Sequence, residues 1–198
     1  MNKVLVMLEN NYIIDKSLET KINIADFNTL NFKIKSNAKA CLFFEAKGNQ
    51  DSNTKINVEL DENASCELYG FFKNTKKKTN LITNVIHKGS KSKCNQDFRF
   101  VNKRGKSSFE GKITVPKDVV KCESHMLNKN ILLDTHSDAF AKPELDINND
   151  DVICTHGCTI GALDEDHMFY LQSRGYTEDE ATEILVEAFA HMRTQEHI

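Results

Sequence analysis

Apolar and polar residues alternate strictly over long parts of this chain. In Leu30-Asn31-Phe32-Lys33-Ile34-Lys35 every second residue is apolar, and Lys55-Ile56-Asn57-Val58-Glu59-Leu60-Asp61 repeats the pattern. A period of two puts one set of side chains in a core and the other in water, so these segments predict half-buried β-strands. Phe98 and Phe100, then Ile113 and Val115, carry the same spacing onward. Only two prolines occur in the chain, which suits long ladders because proline removes a ladder donor. Residues up to about 160 read as strand after strand.

A weak repeat overlies the alternation. Asn37-Ala38-Lys39-Ala40-Cys41-Leu42 resembles Asn63-Ala64-Ser65-Cys66-Glu67-Leu68 at an offset of 26 residues. Gly89-Ser90-Lys91-Ser92-Lys93-Cys94 and then Val119-Val120-Lys121-Cys122-Glu123 follow at similar offsets. Strand segments that recur at this period, each unable to close a core alone, suggest a solenoid. An antiparallel sandwich with chance similarity is the alternative.

The period changes near Leu163. Asp164 reads as an N-cap followed by Glu165 and Asp166 at the positive end of a helix dipole, and Gly175 reads as its C′ stop. Thr177-Glu178-Asp179-Glu180 is a capping box. Behind it Ala181, Ile184, Leu185, Ala188, Phe189 and Met192 predict one apolar stripe, with Glu183 and Glu187 on the opposite side. Two helices so closely joined form an αα-hairpin. From Leu163 onward nine Asp or Glu face two Arg. The pair is either a solvated cap on the β-domain or a docking element for a partner.

Composition narrows the classes. With 39% apolar and 28% charged residues and a net charge of −3, the chain has no global basic field to draw it to nucleic acid or an anionic membrane. Its longest apolar runs, such as Val4–Leu8, reach four or five residues against the ~20 that span a bilayer. Met1–Leu8 is too short, and too weakly charged at its start, for a secretory signal. A cytoplasmic protein is expected. Of the six cysteines, Cys41, Cys66, Cys94 and Cys122 are spaced 25–28 residues apart, which points to recurring structural positions rather than disulfides.

Chemistry concentrates in Asp150-Asp151-Val152-Ile153-Cys154-Thr155-His156-Gly157-Cys158-Thr159-Ile160-Gly161. Cys154, His156 and Cys158 stand at i, i+2 and i+4, so a continuous strand would point all three to one face. Thiolate and imidazole suit zinc, copper or iron–sulfur species, but three such groups do not close a tetrahedral site. A fourth ligand or a second chain is required. Without further context, packed cysteines around a buried histidine are the favoured reading. No phosphate loop, nucleophile elbow or H-E-x-x-H helix is present. Glu144 with Asp146, and Asp150 with Asp151, read as turn or surface carboxylates, Lys76-Lys77-Lys78 as a solvated loop tip, and His125 and His136 as packing residues.

Lys142-Pro143-Glu144-Leu145-Asp146-Ile147, Asp150-Asp151-Val152, Cys154-Thr155-His156-Gly157-Cys158-Thr159-Ile160-Gly161, Leu163-Asp164-Glu165 and Phe169-Tyr170-Leu171-Gln172-Ser173-Arg174-Gly175 follow one another in an order that resembles the SufB/SufD family of iron–sulfur cluster assembly scaffolds. Phe109-Glu110-Gly111-Lys112-Ile113 and Asn128-Lys129-Asn130-Ile131-Leu132-Leu133 fit the same family. The match runs from about Phe109 to Phe189, and the first hundred residues share only the style. His156 lies in the His-Gly pair of SufD-type members, where SufB-type members carry His-Glu, and Asn128 stands where SufB-type members have the scaffold cysteine. Cys158 replaces a residue usually small and unreactive, and the chain is about half the usual family length, without room for the amino-terminal helical domain.

The resemblance implies a mainly β protein: a right-handed parallel β-helix over residues 1–162 and a small C-terminal α-helical subdomain over 163–198 that docks a SufC-like ABC ATPase. Phe169, Tyr170, Leu171, Arg174 and Gly175 are the expected docking residues. It implies pairing through the β-helix with a SufB-like subunit or a second copy, and cluster assembly near that interface. His156, Cys154 and Cys158 would there meet a transient iron–sulfur cluster or metal ion. The chain itself is expected to bind no nucleotide, having no Walker motif, and to be a scaffold rather than an enzyme. A stand-alone Cys/His metal-binding protein and a purely structural β-helix remain the alternatives.

Overall fold

Each alternating segment becomes a strand whose inward residues stack on those of the next coil. The computed structural model describes residues 6–8 and 10–191. Its strands are β1 (Val6–Leu8), β2 (Asn11–Ile14), β3 (Leu18–Asn23), β4 (Thr29–Ile34), β5 (Lys39–Glu45), β6 (Ser52–Leu60), β7 (Ser65–Thr75), β8 (Lys78–His87), β9 (Lys93–Lys103), β10 (Lys106–Val115), β11 (Glu123–Leu132), β12 (Asp138–Ile147) and β13 (Ile153–Gly161). From β2 on, the strands are dealt alternately to two sheets, one ordered β1-β2-β4-β6-β8-β10-β12 and the other β13-β11-β9-β7-β5-β3. Neighbours within a sheet are parallel except β1 and β2. The result is a parallel β-solenoid of about five coils, the fold the repeat implied.

The repeat marks one corner of the coil. Asn37, Asn63, Lys91 and Lys121 all adopt positive φ, between 55° and 63°. Each donates its backbone N–H to the next coil, at Glu62, Ser90, Val120 and Asp151 respectively. Asparagine tolerates this left-handed geometry, which explains its recurrence, and the lysines hold it against their intrinsic preference. At the other corner, the buried amides of Asn74 and Asn102 bond each other and reach the backbone carbonyls of Lys106 and Asp138.

The interior is stacked in columns. Tyr12 lies on Phe32 with ring centroids 4.9 Å apart, and Phe72 lies on Phe100 at the same spacing. Ala40, Cys66, Cys94, Ser124 and Cys154 form one inward column of small side chains in successive register. The even cysteine spacing was only partly a structural repeat. Cys41 pairs with Glu67 rather than Cys66 and is half-exposed, one residue out of the inward frame. Cys122 is buried and hydrogen-bonded at the corner, at Ser92 rather than Cys94.

Two helices follow, α1 (Glu165–Ser173) and α2 (Glu178–Ala190). Asp164 accepts from the His167 N–H, and Thr177 with Glu180 closes a capping box. Gly175, at φ +97°, ends α1 while the N–H groups of Gly175 and Tyr176 return to Gln172 and Leu171. The buried arc of α2 is rotated from the expected stripe. Ala181 and Val186 are buried and Phe189 is partly covered, whereas Ile184 and Ala188 face out; Met192 lies outside the described residues. Apolar residues run round much of this helix, so the pattern alone left the angle open. The sheet selects it by offering Phe71, Val101, Ile131 and Leu133 to Val186 and Phe189.

Lys77 also departs from expectation. It is 8% exposed, and its ammonium donates to the carbonyls of Ala46 and Gly48, pinning a loop of the preceding coil. His136 is exposed, and His125 lies on the outer sheet face rather than in packing.

Candidate functional site

The strand carrying Cys154, His156 and Cys158 is unbroken through Gly157, because β13 stays in parallel register with β11 from Ile153 to Gly161. Cys154 lies beside Ser124, His156 beside Met126 and Cys158 beside Asn128. Those three β11 residues are buried. The cluster-forming candidates therefore continue the inward columns of the solenoid, but at an edge strand, where the core opens to solvent. Cys154 is half-buried, and His156 and Cys158 are exposed. A buried histidine is not what the fold supplies.

One face does not make one ion site. Side chains two residues apart on a strand sit roughly 6.6 Å apart, too far for three of them to converge on one ion. Among the described residues no group of three or more His, Cys, Asp or Glu could hold a metal ion. Both thiols are also held in the protonated form. Burial, then the neighbouring Cys122, raises the Cys154 pKa, and burial raises that of Cys158. Cys158 leans toward the Asn128 carboxamide, with Sγ 3.8 Å from Oδ1. The row presents three donors in a line at the open terminal coil, a geometry that a facing chain would have to complete.

Sequence reasoning missed what surrounds this row. On the outer side of the same strands, the His125 Nδ1 lies 2.7 Å from the Thr155 hydroxyl and its Nε2 3.3 Å from Glu123, which also pairs with Lys93 at 2.6 Å. These contacts depress the Glu123 pKa, Lys93 contributing most. Phe140, Ile153 and Ile160 expose apolar area on the same terminal coil, at 53%, 63% and 46%. Only the register shows that these residues share the coil with His156, since Phe140 lies in the other sheet.

The helices present the second surface. No residue of α1 is buried, and Phe169 is 74% and Tyr170 56% exposed. Arg174 lies over the Tyr170 ring, 5.2 Å from its centroid, while Leu171 is half-buried and Gly175 forms the turn. α2 is fastened to the sheet beneath. Arg99 donates to the carbonyls of Phe189 and His191 at 2.6 and 2.9 Å, and Lys73 pairs with Glu183 at 2.6 Å. A guanidinium at the carbonyl end of a helix satisfies its unpaired acceptors and opposes its dipole.

Comparison with known proteins identifies the family. Residues 12–189 match the family profile described as SUF system FeS cluster assembly, SufBD core domain. The iron–sulfur cluster assembly protein SufD of Escherichia coli is 37% identical over 95 residues, 48% of this chain and 22% of that protein. A SufBD family protein of Synechocystis is 37% identical over 108 residues, 54% of this chain and 22% of that protein. The SufD of Plasmodium falciparum is 26% identical over 176 residues, 87% of this chain and 12% of that protein. The chain thus matches less than a quarter of the length of these curated relatives.

Proposed function

Because the chain belongs to the SufB/SufD core family of iron–sulfur cluster assembly, we propose that it is a scaffold subunit that meets a second β-helical chain at its terminal coil. The observation that carries this reading is the row Cys154, His156 and Cys158, in line with the buried columns yet open to solvent. The row has soft donors and cannot close a site by itself. The exposed Phe140, Ile153 and Ile160 and the edge strands β12 and β13 around it supply what a facing subunit would cover. The facing chain is a SufB-like subunit or a second copy, and the cluster or metal ion passes between them as cargo. His156 contributes an imidazole nitrogen, and each thiol becomes a ligand when the incoming metal displaces its proton to solvent.

The exposed aromatics of α1 serve a different partner, an ABC-class ATPase of the SufC type, whose nucleotide cycle would move this subunit against the other. The acidic helix faces speed association and the aromatics hold the complex. No catalytic role is assigned to this chain.

Co-purification from the native host tests the assignment. An ATPase and a β-helical partner are expected in the complex, and tight metal without either would favour an independent metal-binding protein. Phe169→Ala or Tyr170→Ala should weaken ATPase binding by about 1–3 kcal/mol. His156→Ala should leave β-content and ATPase binding intact while reducing cluster maturation in cells. Normal maturation with His156→Ala would remove the histidine from the site.

A further inference from the structure

We propose that Thr83 and Gln96 hold one internal water molecule between the two sheets, bridging a side-chain hydroxyl to a side-chain amide. Thr83 is fully buried and Gln96 is 2% exposed. Neither the Thr83 hydroxyl nor either amide atom of Gln96 makes a hydrogen bond within the protein. Buried polar atoms without partners cost stability; among the described residues the other such side-chain atoms are Asn80 Oδ1, His87 Nε2 and Ser124 Oγ. Asn74, Asn102, Ser107 and Asn130, equally buried, are joined in one continuous chain of side-chain hydrogen bonds.

Register places the two residues opposite each other. Gln96 stands directly below Met126 on neighbouring coils, and Thr83 directly below Gly111. Met126 fills the space where a side chain on Gly111 would go, so these two residues face across the core. One coil earlier, the same positions bring Gln96 toward Thr83. Above them the layer is closed by Met126 over Gly111, and below them lie Leu68 and Ile56. The polar atoms therefore find no partner directly above or below them.

The stoichiometry suits water. The amide offers donors and acceptors, the hydroxyl offers both, and one water has two of each. No charged side chain lines this layer, so an ion finds no counter-charge and a neutral dipolar ligand fits better. The site stands independently of the scaffold reading.

A high-resolution crystal structure of the full chain tests it directly. One ordered water within hydrogen-bonding distance of the Thr83 hydroxyl and the Gln96 amide is expected. Thr83→Val and Gln96→Leu should each lower the melting temperature by about 3 °C, and the double variant should lose less than the sum. Electron density for a direct Thr83–Gln96 hydrogen bond without water, or losses that add fully, would overturn the proposal.

Discussion

Burial sets the chemistry of single side chains here more than charge does. His87 is fully buried, with its Nδ1 2.7 Å from the Ser92 hydroxyl, and burial pushes its pKa down to about 4 from an ordinary 6.5. The folded chain refuses a proton that the unfolded chain accepts between those values. Stability from this residue is therefore complete above pH 6.5 and falls as pH drops toward 4, by up to about 1.4 kcal/mol per pH unit. Urea melts across that window should show the slope in the native chain and a flatter one in His87→Leu; identical slopes would assign the acid sensitivity to other groups. The thiols divide in the same way. Cys41 is half-exposed, but burial and the flanking Glu67 and Glu19 raise its pKa to about 12. Cys158 is exposed, and only burial acts on it. Since the thiolate is the nucleophile, iodoacetamide at pH 8 followed by peptide mass mapping should label Cys158 well before Cys41. Faster labelling of Cys41 would contradict the charge argument.

Elements succeed or fail at their corners. Gly105 follows the left-handed Arg104, and a β-carbon there would collide with the Asn74 backbone carbonyl of the coil below. Gly161, at the end of β13, has open space. Gly105→Ala should therefore destabilise by about 1–3 kcal/mol in urea melts and Gly161→Ala by close to nothing. Equal effects would show that the corner tolerates displacement. The same contrast explains what the sequence could reveal. Strands were legible at Leu30–Lys35 and Lys55–Asp61 because their period is set by the pleat itself, and the caps Asp164, Thr177 and Gly175 because they are local hydrogen-bond chemistry. Cys41 was misread because equal spacing ignores a one-residue shift that moves a side chain to the other face. Lys77 was hidden because its partners, the Ala46 and Gly48 carbonyls, carry no side-chain signature. The row Cys154, His156 and Cys158 was visible as a pattern, but its position at an open coil depends on the register of distant strands.

Across the whole molecule, the two candidate surfaces are linked through one piece of structure. α1 packs on α2, and α2, together with Leu163 just ahead of α1, packs Val186 and Phe189 against Val101 of β9 and Ile131 of β11. β11 is in turn the direct neighbour of β13, which carries the donor row. A force applied at the exposed aromatics of α1 would thus reach the terminal coil through a short chain of packed groups. The solenoid does not need that chain for its own closure, since its continuous core runs from Tyr12 to Met126 without the helices, while Val186 belongs to a separate small cluster. Val186→Asp places an unpaired carboxylate in that small cluster, where burying a charge outweighs the few apolar contacts available. The helices should then separate from the sheet while the coils stay folded. Trypsin should cut after Arg174 much faster than in the native chain, and far-UV circular dichroism should keep its strand signal with an almost unchanged main melting transition. Loss of the strand signal together with the helices would show that the clamp is part of the solenoid's own stability. If the scaffold reading holds, the same variant should retain pairing with the second β-helical chain and lose the influence of ATP on it.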